Sequence, residues 1–351
     1  MLNLFKRVFR FIVPVSSRTF NVRMNQMHVH VNELYDKIKA ETKLLYNNDG
    51  ERIVSKPYVS FFKREDFKQC FFRLIDGLDD ESREQIITIL SRIERIHSTS
   101  GALELWTQEE IDALKSLTVE ISNVFRVSED CYCLGKYLLP INHFDPSVFY
   151  DNYGIRYIQN IEAIQDKCII DVGAFVGDSL LILSKLTQNK VYAFEAMSEN
   201  YNQMKKTLQM NNVTNAVPIN KALGNASGKT ILTFAGAGSQ SVPPSIFNPK
   251  EQEEVEVITL DDFVKEHNLD VGLIKVDIEG AEQDFLKGAK QTICQQKPIL
   301  LLSIYHKPED FFFIKPEIES WNLDYIFKIH KPINESVSSE VLLIAQLRSD
   351  C

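Results

Sequence analysis

The sequence predicts a doubly wound α/β domain: a mostly parallel sheet flanked by helices, closed by a terminal antiparallel hairpin and preceded by a helical N-terminal region. Three observations carry this. Short apolar, β-rich runs alternate with helical stretches from Cys168 onward. The first run leads into an acid and a glycine loop, CIIDVGAFVGDS, the pattern of a strand that turns sharply to deliver backbone to a ligand. The last two runs, Tyr325 to His330 and Val341 to Leu347, are joined only by KPINESVSSE.

Composition narrows the class. With 351 residues, 44% hydrophobic and 25% charged, the chain is ordinary for a globular protein and has room for about two domains. A net charge of -9 argues against nucleic acid as a partner. No apolar run is long enough to span a bilayer. Six scattered cysteines give neither a zinc spacing nor a disulfide framework, so a reducing, cytoplasmic setting is expected.

Residues 1–30 form a basic segment. Lys6, Arg7, Arg10, Arg18 and Arg23 meet no acid, and Leu2, Phe5, Phe9 and Ile12 share one helical face. Such a helix can lie on an anionic surface, so peripheral membrane contact at the inner face through residues 1–14 is an expectation. Residues 31–130 read as a helical accessory region. Ile86, Ile87, Leu90, Ile93 and Ile96 recur near the helical period, and Phe67, Phe71, Phe72 and Ile75 mark a shorter helix. Thr107 with Glu110 is a capping box, opening a helix expected to bury Ile111, Leu114, Leu117 and Ile121. Residues 131–164 are aromatic and turn-rich, a connector suited to be a lid, with His143 as its single histidine.

The remainder, 165–351, is the α/β domain. CIIDV and VYAF are its first two strands, and AVPINKAL (Ala216 to Leu223) is the third. Shorter strands at Lys229 to Phe234 and Glu254 to Thr259 flank a flexible loop, Gly236 to Ser245. An aspartate is expected to cap the helix opening at Leu260. Leu273 to Asp277 is the fourth core strand; Pro298 to His306 is the fifth, apolar as a central parallel strand should be.

Ligands of such sheets bind beyond the carboxyl ends of the strands. That rule gathers Asp171, Gly173, Ala174, Gly177, Asp178 and Ser179 with Glu195, Ala196, Met197 and Ala222 as cofactor-side residues. Glu195, closing the second strand, is placed for the two hydroxyls of a ribose. A nicotinamide dinucleotide needs GxGxxG, but Phe175 stands where the second glycine belongs and the loop has no Arg or Lys. Its carboxylates suit the cationic end of S-adenosylmethionine instead. Asn220 and Lys221 occupy the neighbourhood where an acidic partner for adenine is usual.

DVGAFVGDS (Asp171 to Ser179), AFEA, TLDDF, IKVDIEGAE (Ile274 to Glu282) and LLSIYHKPED together resemble the FkbM-type methyltransferases, of the class I, Rossmann-like S-adenosylmethionine-dependent fold. The similarity covers about residues 165 to 347. It implies methyl transfer to a hydroxyl oxygen of a sugar, glycan or related metabolite. An attacking hydroxyl must shed a proton, so a base is useful; His306, Asp277 and Glu279 are the catalytic candidates, with the choice among them open. The same three residues would suit a divalent metal, but no dedicated ligand spacing assigns one. A non-catalytic scaffold that keeps the fold, and an NAD-linked enzyme, are the alternatives.

Overall fold

The computed structural model describes residues 48–99, 105–233 and 252–348. The basic segment 1–30 with its membrane face 1–14, residues 31–47 and the loop Gly236 to Ser245 lie outside the described residues.

Helices come first: α1 (Asn48–Phe62), α2 (Phe67–Ile75), α3 (Asp80–Ser98) and α4 (Gln108–Ile121). The capping box forms as expected, with the Glu110 N–H donating to Thr107 Oγ1 and the Thr107 N–H donating to Glu110 Oε2. Of the four apolar residues expected inside α4, only Leu114 is buried. The helical run ends earlier than the composition suggests. β1 (Phe125–Ser128), β2 (Cys131–Leu134) and β3 (Tyr137–Leu139) make a small antiparallel sheet, turned at Gly135 with φ +56°. A single turn, α5 (Pro146–Phe149), and two 3₁₀ turns (Asn152–Tyr157, Ile161–Ile164) lead to the domain proper.

There β4 (Cys168–Val172), α6 (Leu180–Leu183), β5 (Val191–Phe194), α7 (Ser198–Met210) and β6 (Ala216–Ile219) follow in βαβ order. β7 (Ala222–Leu223), β8 (Gly228–Thr233) and β9 (Gln252–Ile258) form a second three-stranded sheet. Then come α8 (Leu260–His267), β10 (Val271–Val276), α9 (Glu282–Gln296), β11 (Ile299–Ser303), α10 (Pro308–Glu319), β12 (Tyr325–His330) and β13 (Leu342–Leu347). The main sheet runs β12-β13-β11-β10-β4-β5-β6, with β13 antiparallel to both its neighbours and the rest parallel. This is the doubly wound sheet with a terminal hairpin that the sequence predicts.

Three local expectations need correction. AVPINKAL is two strands in two sheets, because the Asn220 side chain donates to the backbone oxygens of Glu195 and Ala196 and turns the chain out of the sheet. The helix expected from Asp178 and Ser179 is one turn long. Thr259, not an aspartate, caps α8 by accepting from the Asp262 N–H at 3.1 Å.

Every residue of β4, β10 and β11 is buried, and strand order reverses between β4 and β10. That switch point opens the crevice for a ligand. The helices pack on α10, where Phe61 stacks on Phe312 with centroids 4.5 Å apart and Tyr58 meets Phe311 edge-on. Such ring pairs add about 0.5–1.5 kcal/mol each beyond area burial. Among the described residues no helix is long and apolar enough to cross a membrane. Cys70, Cys131, Cys133, Cys168 and Cys294 are free thiols.

Candidate active site

Both halves of the sheet build the glycine loop. Gly173 has φ +77°, and a β-carbon there would lie 1.9 Å from the backbone oxygen of Asp277, so only glycine fits. The Gly173 and Ala174 N–H groups both donate to the Phe194 oxygen, and the Asp277 N–H donates to the Val172 oxygen at 3.0 Å. The loop after β4 is thereby locked to the ends of β5 and β10.

Glu195 sits where β5 ends, with each oxygen held by a backbone donor. The Phe175 N–H donates to Oε2 at 2.9 Å and the Met197 N–H to Oε1 at 2.8 Å. Burial pushes its carboxyl up to about 7, against the pull of those two donors. The Asn200 side chain is a further donor to this carboxylate, which still has lone-pair capacity for a ribose diol. Phe175 reaches Glu195 only by taking left-handed backbone, φ +47°. Asn220 fastens the turn through 195 and 196 in the place expected for an adenine partner. Ala222 lies on β7, paired with Val257 in the small sheet.

Asp171 is fully buried, and its charge is turned inward. The Ser179 hydroxyl donates to Oδ2 at 2.5 Å, and Lys275 Nζ lies 3.2 Å from Oδ1 while donating to the Gly173 oxygen at 2.8 Å. The geometry makes Asp171 and Ser179 supports behind the loop. Asp178, beside them in the loop, is 5% exposed and accepts from the Ser179 N–H. Burial pushes the Asp178 carboxyl up to about 6; His143 and Lys275 pull it down and Asp145 adds to the rise. His143 also lies over the glycine loop, its ring 5.2 Å from that of Phe175.

On the far side of the crevice three carboxylates surround His306. Nδ1 is 2.9 Å from Glu282 Oε1; Nε2 is 3.3 Å from Asp277 Oδ1 and 3.6 Å from Glu279 Oε2. Burial alone would lower the pKa of this ring, but Glu282, then Asp277 and Glu279, raise it to about 10. The three carboxylates thus favour the charged form of the ring and move His306 out of the ordinary histidine range. Asp277, Glu282 and His306 each bring one possible metal-ligand atom within 4.8 Å of the others. Glu279 is different: its side chain is 64% exposed, at the rim, in left-handed backbone at φ +56°. Strain of that kind is held where the surroundings over-determine it, commonly at working sites.

Lys275 and Glu282 were not among the residues singled out from sequence. A signal for Lys275 exists, since a lysine inside the buried run LIKV demands a counter-charge. Glu282 carries no such mark, because it reads as an ordinary helix opening.

Residues 171–329 match the family model described as the methyltransferase FkbM domain. "Methyltransferase 1" of Beauveria bassiana (strain ARSEF 2860) is 25% identical over 177 residues, 44% of this chain and 71% of that protein. "Methyltransferase sdnD" of Sordaria araneosa is 25% identical over 215 residues, 52% of this chain and 82% of that one. The crystal structure of a methyltransferase FkbM from Methylobacillus flagellatus KT superposes with a TM-score of 0.52 at 19% identity. That match covers 81% of this chain and 60% of the other, and shows the shared fold. With a doubly wound sheet, a glycine loop at its switch point and matching sequence through the strand ends, residues 171–329 are an FkbM-type methyltransferase domain.

Proposed function

We propose that the crevice binds S-adenosylmethionine and that the protein transfers its methyl group to a hydroxyl oxygen of a sugar, glycan or related metabolite. The observation that supports the donor is the pairing of Glu195 with the N–H groups of Phe175 and Met197, beside the buried Asp178. A diol and a cation fit that set of groups. A diphosphate does not, since the loop itself carries no Arg or Lys and is followed by a single helical turn. When bound, S-adenosylmethionine supplies an electrophilic methyl on a sulfonium. Glu195 takes the ribose hydroxyls, and Phe175 and Gly173 shape the loop around the ligand. Glu279, exposed at the rim, takes the acceptor's proton. Asp277 and Glu282 hold His306 charged beside it. Metal is not needed for this division of labour.

The setting that fits is reducing and without nucleic acid, in keeping with the five free thiols among the described residues and the net charge of -9. Contact with an anionic membrane surface through residues 1–14 is part of the same proposal.

Calorimetry with S-adenosylhomocysteine tests the donor. Binding to the wild type that falls at least about tenfold in Glu195→Ala is expected from the lost charge-assisted hydrogen bonds. No binding, or identical binding by the variant, sinks the proposal.

A further inference from the structure

The helical region reaches the acceptor side through one loop. Residues 331–341 join β12 to β13, and the helices hold the end of β12 and this connection at three points. Ser82 Oγ accepts from the Ile329 N–H at 3.0 Å, and Gln85 Oε1 accepts from the Lys331 N–H at 2.7 Å. The third point is Glu51 on α1, a buried carboxylate that takes four hydrogen bonds. The hydroxyls of Ser336 and Ser338 donate at 2.7 and 2.5 Å, and the N–H groups of Val337 and Ser338 each donate at 3.1 Å. A carboxylate that accepts this many donors fixes a loop more firmly than neutral hydrogen bonds would.

Just past the clamp the chain passes through Glu340 in left-handed backbone, φ +61°. There the Tyr305 hydroxyl donates to Glu340 Oε1 at 3.0 Å. Tyr305 immediately precedes His306, and their rings are 4.1 Å apart. α1 supports this place a second time, since the Tyr58 hydroxyl reaches the Tyr305 backbone oxygen at 3.4 Å. Glu340 therefore stands beside the carboxylate and imidazole group assigned above to the acceptor. It is half-buried, with Asp145 and Ser147 of the connector, Asp277 after β10 and Lys331 of its own loop as its polar surroundings. Burial, then Asp145 and Asp277, push its carboxyl up to about 8.

We propose that Glu340 is an acceptor-binding residue, that Glu51 is the positioning residue that seats it, and that the acceptor is a neutral, polyhydroxylated molecule. The proposal rests on the methyl-transfer reading above and deepens it. Asp145, Asp277 and Glu279 gather at this side around Glu340, which disfavours a phosphorylated or carboxylated acceptor and suits hydroxyls that both donate and accept. The helical region then has a function: it sets the wall against which the acceptor binds.

The test uses the full chain, tritiated S-adenosylmethionine and a panel of neutral methyl glycosides beside their 6-phosphate and uronate counterparts. Transfer to neutral members over charged ones is expected. Glu340→Ala should raise the acceptor KM about tenfold with the donor KM unchanged, and Glu340→Gln, which keeps the length and a hydrogen-bonding end, should recover most of it. Glu51→Gln should move the acceptor KM in the same direction, with partial recovery in Glu51→Asp. Should Glu51→Gln fail to fold, Ser338→Ala weakens the same clamp from the loop side. Unchanged acceptor KM in the Glu51 and Glu340 variants overturns the proposal, as do equal shifts in donor and acceptor KM, or transfer to charged acceptors only. S-adenosylhomocysteine calorimetry on the same samples tells a failure of this wall from a failure of the donor reading.

Discussion

Asp171 and Lys275 are side-by-side partners across β4 and β10, with Oδ1 and Nζ 3.2 Å apart and almost no exposed surface. Burial alone would strip the proton from Lys275, but Asp171, then Asp277 and Asp178, keep it charged. The ammonium also holds the Gly173 oxygen, so a single buried pair ties two strands to the glycine loop.

Breaking this pair from one side leaves an uncompensated buried charge. Lys275→Met is expected to cost about 3–5 kcal/mol, and the double variant Asp171→Asn with Lys275→Met to cost clearly less than the two single losses summed. Urea unfolding of the three variants measures this. Simple additivity would mean that the two groups do not act as a pair.

The two loop glycines should respond differently to alanine. At Gly177 the new β-carbon meets Met204 Cγ at 3.0 Å and its backbone Cα at 3.3 Å, contacts relieved by a shift of a few tenths of an ångström, and the left-handed backbone accounts for about 1–2 kcal/mol. At Gly173 it meets the backbone oxygen of Asp277 at 1.9 Å, and the ends of β4 and β10 must separate. Gly173→Ala should lose more stability than Gly177→Ala, by denaturant midpoint, and should lose S-adenosylhomocysteine binding as well. Equal effects would show that the β4 and β10 ends are not locked together.

Much of this arrangement is legible in the sequence because it repeats at each strand end. Periodicity gives β4, β5, β10 and β11, and the rule that ligands sit beyond parallel strands brings Glu195, Asp277 and His306 to one crevice before any coordinates are known. What is not legible depends on long-range pairing. Asp171 and Lys275 are 104 positions apart, and nothing local distinguishes an acid that faces a ligand from one that faces a buried lysine. Glu51 and Ser338 are farther apart still, at opposite ends of the chain. The protonation of His306 is hidden for the same reason, since Glu282 reads as a helix-opening residue until α9 folds back beside the loop after β11.

His306 should keep its ring proton well above the usual histidine range. Its folded pKa, about 10, lies above the unfolded value, so its contribution to stability is complete below about pH 6.5 and is lost as pH rises through about 10. Glu282→Gln removes the first of the charges that hold the proton, so the ring pKa should drop by more than one unit. Nitrogen chemical shifts of the ring, followed from pH 6 to pH 10, give the answer. A wild-type ring that titrates near 6.5 contradicts the arrangement.

Glu195 links pH to the donor site with the opposite consequence. Its folded pKa is raised to about 7, so folding favours the protonated acid, and stability falls as pH rises from the unfolded value toward 7. The ionised form is the better acceptor for a ribose diol, so binding should gain where stability is lost. Between pH 6 and pH 8 a group with this pKa goes from roughly one-tenth to nine-tenths ionised, and S-adenosylhomocysteine affinity should strengthen roughly tenfold. In Glu195→Gln the rise should vanish. Calorimetry across that range is decisive, because a pH-dependent gain that survives the substitution would have to come from Asp178 or another of the crevice acids, and Glu195 would then not be the residue that meets the ribose.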